Sequence, residues 1–437
     1  MDGAGDLVAA GYFSGSSATF GGVVLTSAGS EDAVVWKTSG EGTTLWVVRG
    51  GGTGDDALQS VTTDGANAVV AAGSFKSSTA TFGGLMLTNA GSRDIVVWKM
   101  SDEGTTLWAV RGGGSGDDWF WRGGVCVDNF GAVMTAGTAF SSKATFGGVV
   151  LTITGAGKAI LWKMSGEGTT LWAMSGGDAY RSYMDAVVVD GANAVIAAGH
   201  LWANAGNSVA WGGVALTAAG IDDAVLWKLS GEGTTLWVVR GGGTGVDRMY
   251  AVDVDSVNAV VAAGWFWSSE ATFGGVAMTN FGGDDAVVWK LSAEGTTLWV
   301  VHQGGTGDEE AFGVVVDGAN AVVVSLFSSS TPFAGEAQTD AGGRDAVLWK
   351  LSAEGTTLWT VRGGGSSNDY MHAVAVDGTN AVVAAGYFSS STATFGGVEL
   401  TTAGSEDALV WKVSDVFFSL TRIKQCCARH CHPLTIA

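Results

Sequence analysis

Short apolar stretches, separated by glycine-rich and polar turns, recur along the whole of this 437-residue chain. Stretches of this length, bounded by such turns, predict β-strands. One unit shows four of them, which we label A to D in chain order. Strands A, B and C are 373–376, 381–388 and 407–412, and 356–362 is strand D of the preceding unit. The turn 377–380 separates A from B, and the segment 394–397 predicts a small hairpin between B and C. No window of eleven residues has helical periodicity.

The unit recurs seven times, as the spacing of its tryptophans shows. A Trp-Lys pair ends strand C at intervals of 60 to 65 residues: Trp36, Trp98, Trp162, Trp227, Trp289, Trp349 and Trp411. In the first six copies a second tryptophan follows ten residues later, within Gly-Thr-Thr-Leu-Trp. A four-stranded unit cannot bury both of its faces alone, so the copies must stack on one another. A solenoid is the competing arrangement, but short A–B and C–D turns with long D–A connections favour radial blades.

The repeats therefore predict an all-β fold, a seven-bladed β-propeller with four strands and a hairpin insert in each blade of about 62 residues. We expect residues 1–414 to form one domain, with the repeated tryptophans packed between blades, and 415–437 to be a divergent tail. Only six A and six D strands are legible. Residues 1–5 resemble the end of an A–B turn, which predicts an altered copy of a longer repeat protein without its first A strand. With 417–423 replacing the last D strand, one inner position would be vacant and the terminal blades least ordered.

These residues resemble a known family of repeats. Ala-Gly-Tyr-Phe, Thr-Phe-Gly-Gly, Trp-Lys, Glu-Gly-Thr-Thr-Leu-Trp and Gly-Gly-Gly follow one another as in the seven-bladed β-propeller repeat family SBBP, over residues 7–414. The resemblance implies a propeller in an extracellular or cell-envelope setting, and the family has no agreed catalytic residues. The Gly-Thr-Thr-Leu-Trp segment also resembles the tryptophan-docking repeats of quinoprotein dehydrogenases, over about twelve residues of each unit.

Charge and composition exclude several classes of function. The chain has 42 acidic and 22 basic residues and a formal net charge of −20, so it lacks the basic surface that a nucleic-acid partner requires. No apolar run approaches the roughly 18 residues that span a bilayer, and the N-terminus lacks the pattern of a signal peptide. Three of the four cysteines lie in the tail, so no disulfide framework is expected in the body.

Several residue patterns have metal- or phosphate-binding chemistry but are better explained as structure. The carboxylates that precede strand C and those that open the A–B turns recur in most blades, which favours hydrogen bonding to turn amides over a ring of calcium ligands. They are Asp32, Asp94, Asp223, Asp285, Asp345 and Asp407 before strand C, and Asp64, Asp190, Asp317 and Asp377 in the turns. The glycine runs lead into strands, not helices, and so are not phosphate-binding loops. The tail cluster of Cys426, Cys427, His430, Cys431 and His432 lacks zinc-module spacing. We expect no cofactor, with calcium as the one alternative.

An asymmetric site requires residues that break the repeat, and the D–A loops vary most. Their aromatic and charged residues would surround one mouth of the propeller, and we take as candidate ligand-binding residues Trp119, Trp121, Arg122, Tyr180, Tyr183, Tyr250, Phe312 and Tyr370. Such residues suit a glycan, peptide or protein ligand, although they could also plug the channel. His200, His302 and His372 lie in different repeats and no catalytic triad is legible. We therefore expect a non-catalytic recognition or scaffold module; the alternative is a quinoprotein-like dehydrogenase or a glycoside hydrolase. Oligomeric state is left open.

Overall fold

A computed structural model describes residues 1–120, 124–177, 181–329, 333, 342–402, 405–414, 424–426 and 431–436. These residues form strands and turns without any helix, and the predicted seven-bladed β-propeller is confirmed. Among them, therefore, no helix has the length and apolar character needed to cross a membrane.

Strands B and C form the buried middle of every blade, and the blades are numbered one to seven in the chain order of their B strands. Both of their faces are covered by neighbouring blades, which explains why they are apolar runs without alternation. The B strands are β1 (Leu7–Ser14), β7 (Val69–Phe75), β14 (Val133–Ala139), β20 (Val195–Trp202), β26 (Val260–Phe266), β32 (Val322–Ser328) and β36 (Val382–Phe388). The C strands are β4 (Glu31–Thr38), β10 (Asp94–Met100), β17 (Lys158–Met164), β23 (Asp222–Leu229), β29 (Asp285–Leu291), β33 (Asp345–Leu351) and β39 (Asp407–Val413).

The A strands surround the central axis and contact one another around a closed ring. They are β6 (Asp56–Thr63), the interrupted β12 (Asp118–Trp119) and β13 (Val125–Val127), β19 (Arg181–Val189), β25 (Asp247–Val254), β31 (Glu309–Val316), β35 (Asp369–Val376) and β41 (Cys431–Ile436). The prediction of a vacant inner position is wrong, because the backbone of β41 pairs antiparallel with β1 and fills that position. A strand count could not find β41, since the tail does not share the sequence of the repeat.

The D strands form the outer edge of the blades and carry the hairpin inserts. They are β5 (Thr44–Gly52), β11 (Thr106–Gly114), β18 (Thr170–Gly176), β24 (Thr235–Gly243), β30 (Thr297–Gln303), β34 (Thr357–Gly365) and β40 (Lys424–Cys426). Lys424–Cys426 pairs with β39 as the last D strand, whereas the predicted segment 417–423 lies outside the described residues. The predicted hairpins are β2–β3 (Ser17–Phe20, Val23–Thr26), β8–β9 (Thr79–Phe82, Leu85–Thr88), β15–β16 (Lys143–Phe146, Val149–Thr152), β21–β22 (Ser208–Trp211, Val214–Thr217), β27–β28 (Glu270–Phe273, Val276–Thr279) and β37–β38 (Thr392–Phe395, Val398–Thr401).

Four of these hairpins extend the sheet of the preceding blade. For example, β8 pairs with β5, so the insert of the second blade ties it to the first. The repeated tryptophans and lysines add further ties: Trp108 Nε1 and Lys99 Nζ both donate to the carbonyl oxygen of Gly166 in the next blade, at 2.8 and 3.3 Å. Lys99 also forms a buried ion pair with Asp64 of its own A–B turn at 2.8 Å. The Trp-Lys and Leu-Trp repeats thus hold neighbouring blades together.

The repeated carboxylates make the hydrogen bonds that their structural interpretation predicts. Asp94, before strand C, accepts from the Ala90 amide at 2.6 Å and pairs with Arg111 of strand D at 2.8 Å. Asp118, at the start of strand A, accepts from the amide of Gly114 at 2.7 Å. Asp94 and Asp118 therefore stabilise turns, and no group of three or more metal-ligating side chains occurs among the described residues. Calcium, the one alternative to the absence of a cofactor, stays a prediction.

Candidate functional site

The D–A connections and the ends of the B strands meet on one side of the propeller, which we call the upper face. A β-bulge near the upper end of five A strands inserts one extra residue: Gln59, Asp185, Tyr250, Phe312 and His372. The bulge brings the A strand close to strand B. A Cβ on Gly199, for instance, would lie 2.0 Å from the carbonyl oxygen of Tyr183, which explains a glycine in this B strand.

Three positions on the upper face have the same register in each blade but different residues. The first directly follows the carboxylate at the start of strand A, or Ser182 at the equivalent position of β19: Ala57, Trp119, Tyr183, Arg248, Glu310 and Tyr370. The second is its cross-strand partner on strand B: Ser74, Thr138, His200, Trp265, Phe327 and Tyr387. The third directly precedes the strand C position of the repeated aspartates: Glu31, Arg93, Gly157, Asp222, Asp284, Arg344 and Glu406. Since the backbone frame is common to all blades, this variation makes the upper face asymmetric.

The non-repeating residues of blades three to five enclose a cavity of about 230 Å³, which we call the mouth cavity. It is lined by two tryptophans, a tyrosine, a histidine, two arginines and an aspartate: Trp119, Trp202, Tyr183, His200, Arg181, Arg248 and Asp222. A second cavity lies between β24 and the β27–β28 hairpin, but residues that recur in other blades line it. The mouth cavity is therefore the better candidate for a specific ligand.

His200 is held in the wall of the mouth cavity by a buried carboxylate. Its Nδ1 lies 2.9 Å from Oδ2 of Asp185, the bulge residue of β19, and both residues are at least 96% buried. The ring of Tyr183 stacks on the imidazole with centroids 4.5 Å apart. Burial raises the pKa of the Tyr183 phenol, against the opposing effect of Arg181. His200 Nε2 lies 3.9 Å from Asp222, too far for a hydrogen bond.

Arginine and aspartate fix the other side of the cavity. Arg248 Nε donates to Asp222 Oδ2 at 2.8 Å, and its NH1 donates to the Tyr250 hydroxyl at 3.3 Å. Burial alone would lower the pKa of Arg248, but the charges of Asp222 and Tyr250 and the hydrogen bonds to them together outweigh burial, and the pKa is raised. Oδ1 of Asp222 is buried and has no hydrogen-bond partner among the described residues. This pair presents one neutralised, polar wall to the cavity.

Beside the mouth cavity, blades five to seven contain an aromatic cluster. Tyr250, Trp265, Phe312 and Phe327 are buried there, and Tyr370 packs against them. Phe312 stacks on His372 of the next blade at 5.0 Å between ring centroids. Aromatic rings in contact of this kind fill space, so this half of the mouth is packed while the half at blades three to five is open.

The structure describes five of the eight predicted site residues and places them in two groups. Trp119 and Tyr183 line the mouth cavity, whereas Tyr250, Phe312 and Tyr370 belong to the aromatic cluster. Trp121, Arg122 and Tyr180 lie outside the described residues.

The sequence analysis missed five residues of the cavity: Arg181, His200, Trp202, Asp222 and Arg248. Arg181 and Arg248 stand in the variable D–A segments, where Arg122 is the one arginine among the predicted site residues. His200 and Trp202 lie at the end of strand B, outside the loops considered. Aligning blades two to seven residue by residue would have drawn attention to His200, because it is the one histidine at its position. Serine, threonine, tryptophan, phenylalanine and tyrosine stand there in the other five blades.

Comparisons with known proteins give a likeness of fold. The periplasmic gluconolactonase of Pseudomonas aeruginosa aligns with a TM-score of 0.51 at 9% identity, over 99% of each chain. The WD40 domain of Neurospora crassa Pan2 aligns with a TM-score of 0.42 at 10% identity, over 85% of this chain and 79% of that one. Identities this low show the fold alone, and the second likeness is too weak to carry an argument. No family model matches the chain, and no curated protein matches it. The chain is therefore similar in architecture to β-propellers of distant sequence.

Proposed function

We propose that the protein is a non-catalytic recognition module that binds a sugar residue of a glycan in the mouth cavity. The observation that carries this proposal is the asymmetry of the upper face: residues that break the repeat come together in one cavity, while those that keep it hold the blades. A cavity of about 230 Å³ lies below the roughly 300–1,000 Å³ typical of drug-sized ligands, so it suits a single ring.

The side chains of the mouth cavity have the chemistry that sugar rings require. The indoles of Trp119 and Trp202 offer apolar faces against which the C–H groups of a ring can pack, and 47% of Trp202 is exposed. Asp222 and the two arginines offer an acceptor and donors for hydroxyl groups. The resemblance to SBBP repeats, which we infer to reflect membership of that family, supports an extracellular or envelope setting for such a module.

Binding to an array of glycans and peptides, followed by calorimetric titration of each hit, tests the proposal. Trp202→Ala should weaken glycan binding about tenfold, since an aromatic contact of this kind is worth about 0.5–1.5 kcal/mol beyond its buried area. Trp267→Ala is the matched control: Trp267 occupies the same register in the next blade and is 56% exposed, but does not line the cavity. The proposal would be contradicted if only peptides on the array bound the protein. It would also be contradicted if Trp119→Ala and Trp202→Ala left the affinity for a glycan unchanged.

The His200–Asp185 pair favours hydrolysis as a second candidate function. A carboxylate that accepts from one imidazole nitrogen leaves the other available as a base. In ester or lactone hydrolysis, His200 would take a proton from water as its oxygen attacks the acyl carbon. The proton would then pass to the departing oxygen as the acyl C–O bond breaks.

Release of acid from sugar lactones and chromogenic esters tests this candidate. His200→Gln should abolish a hydrolysis that His302→Gln leaves intact, since His302 also lies near an aspartate, 3.4 Å from Asp285, but outside the mouth cavity. Turnover that survives His200→Gln would refute the role of the pair.

A further inference from the structure

We infer that the ligand of the mouth cavity carries an anionic oxygen group, foremost the carboxylate of a uronic acid, and that Arg181 binds it. The inference rests on the proposed function, because it assumes that a sugar ring occupies the cavity. It adds the charge of that sugar and names the residue that recognises it.

The ion pairs of the arginines are the first observation. Of the eight arginines within the described residues, six lie within ion-pair distance of an aspartate of that same part of the chain, and no such partner occurs there for Arg93 or Arg181. The six pairs are Arg49–Asp32, Arg111–Asp94, Arg240–Asp223, Arg248–Asp222, Arg344–Asp308 and Arg362–Asp345. In a chain with 42 acidic and 22 basic residues, an arginine that forms no ion pair with a described aspartate is an exception. Both exceptions lie on the upper face.

The position of these two guanidinium groups is the second observation. Arg181 lies over the ring of Trp202, 5.2 Å from its centroid, and Arg93 lies over Trp119 at 4.8 Å. These are the two tryptophans of the mouth cavity. Each indole therefore has an arginine beside it, so that a ring stacked on the tryptophan could have its substituent next to a positive charge.

Of the two arginines that line the cavity, Arg181 has the greater capacity for a ligand. Arg248 already donates to Asp222 and Tyr250, and together with the Asp222 carboxylate it is electrically neutral. Arg181 is exposed, and its one polar contact among the described residues is with Tyr183. Arg181 therefore brings to the cavity a positive charge that forms no ion pair with a described aspartate, in a protein whose overall charge is −20.

The planar guanidinium group favours a carboxylate. Its parallel N–H groups match the two oxygens of a carboxylate in a bidentate pair. A sulfate ester on the same ring presents similar oxygens and is the second source of the same chemistry. The two sources can be separated because they differ in geometry and in where they attach to the sugar.

Calorimetric titration of the full chain with matched sugars provides the test. The probes are galacturonate and glucuronate, the methyl ester of each, galactose and glucose, and galactose 6-sulfate. We expect one of the acids to bind at least tenfold more tightly than its own ester and its neutral counterpart. Arg181→Gln should remove that difference, because it weakens the binding of the acid far more than the binding of the neutral sugar. Arg344→Gln is the control, since Arg344 lies over Phe327 on the same face outside the cavity.

Each outcome separates this inference from the proposed function. If the esters and neutral sugars bind as tightly as the acids, and Arg181→Gln retains every affinity, the ligand is not selected for its negative charge. This result would overturn the inference of an anionic ligand and leave the proposal of sugar binding intact. Preference for the sulfate over both acids, if lost in Arg181→Gln, would keep the anion site and reject the carboxylate. Failure of every probe to bind would overturn the inference, and glycan binding elsewhere on the array would then decide the proposed function. Unchanged circular dichroism and melting of Arg181→Gln exclude misfolding as the cause of a loss.

Discussion

The repeated Gly-Thr-Thr-Leu-Trp segment makes a strong prediction about stability at Thr235. Its Oγ1 accepts the hydrogen bond of Trp227 Nε1 at 3.0 Å. Trp227 is completely buried and packs edge-to-face against Trp211, with ring centroids 5.4 Å apart. Thr235→Val keeps the shape of the side chain but removes the acceptor. The indole N–H, which can only donate, would then be buried without a partner.

We expect this substitution to lower the free energy of unfolding by about 1–3 kcal/mol, the cost of an unsatisfied buried donor. Urea unfolding followed by tryptophan fluorescence measures the change as a shift of the midpoint at constant m value. The adjacent Thr234 supplies the control, because it is exposed and its side chain accepts no tryptophan hydrogen bond. Thr234→Val should change stability by less than about 0.5 kcal/mol. Equal losses in the two variants, or no loss in Thr235→Val, would refute the role of the hydrogen bond.

Three further predictions concern acid stability, ring closure and thiol reactivity. Burial would raise the pKa of Asp377, but Lys412, Thr379 and the Ala381 amide outweigh it and lower the pKa from 3.8 to about 2. The ionised carboxylate should thus add about 2 kcal/mol to the free energy of unfolding above pH 3.8, and this contribution should be lost as the pH falls through 2. Urea unfolding of Asp377→Asn, measured between pH 2 and 7, should lack this pH dependence. Deleting residues 431–437 removes β41 and should lower the melting temperature, whereas an unchanged value would contradict its pairing with β1. Burial raises the pKa of Cys126, so peptide mapping should show its alkylation at pH 7.5 in urea but not in the native protein.

The sequence by itself determined the architecture, because the pattern that specifies a repeat fold is local and occurs in each of the seven repeats. Each blade needs apolar B and C strands, tight turns and a tryptophan to cover its neighbour, and each of these is visible within 62 residues. The structural role of Asp94 and Asp64 could likewise be predicted, since a residue that recurs in most blades serves what the blades have in common.

Only the tertiary structure decided where the residues that break the repeat come together. Trp119, Arg181 and Trp202 belong to different strands, and their side chains share one cavity because neighbouring A strands contact each other around the axis and the bulge at Asp185 brings strand A against strand B. The His200–Asp185 pair depends on that same bulge, which shifts the register by one residue and has no sequence signature of its own. The sequence likewise did not indicate that β41 closes the ring. Pairing through the backbone requires no repeat sequence, so a segment that lacks the pattern can complete the first blade.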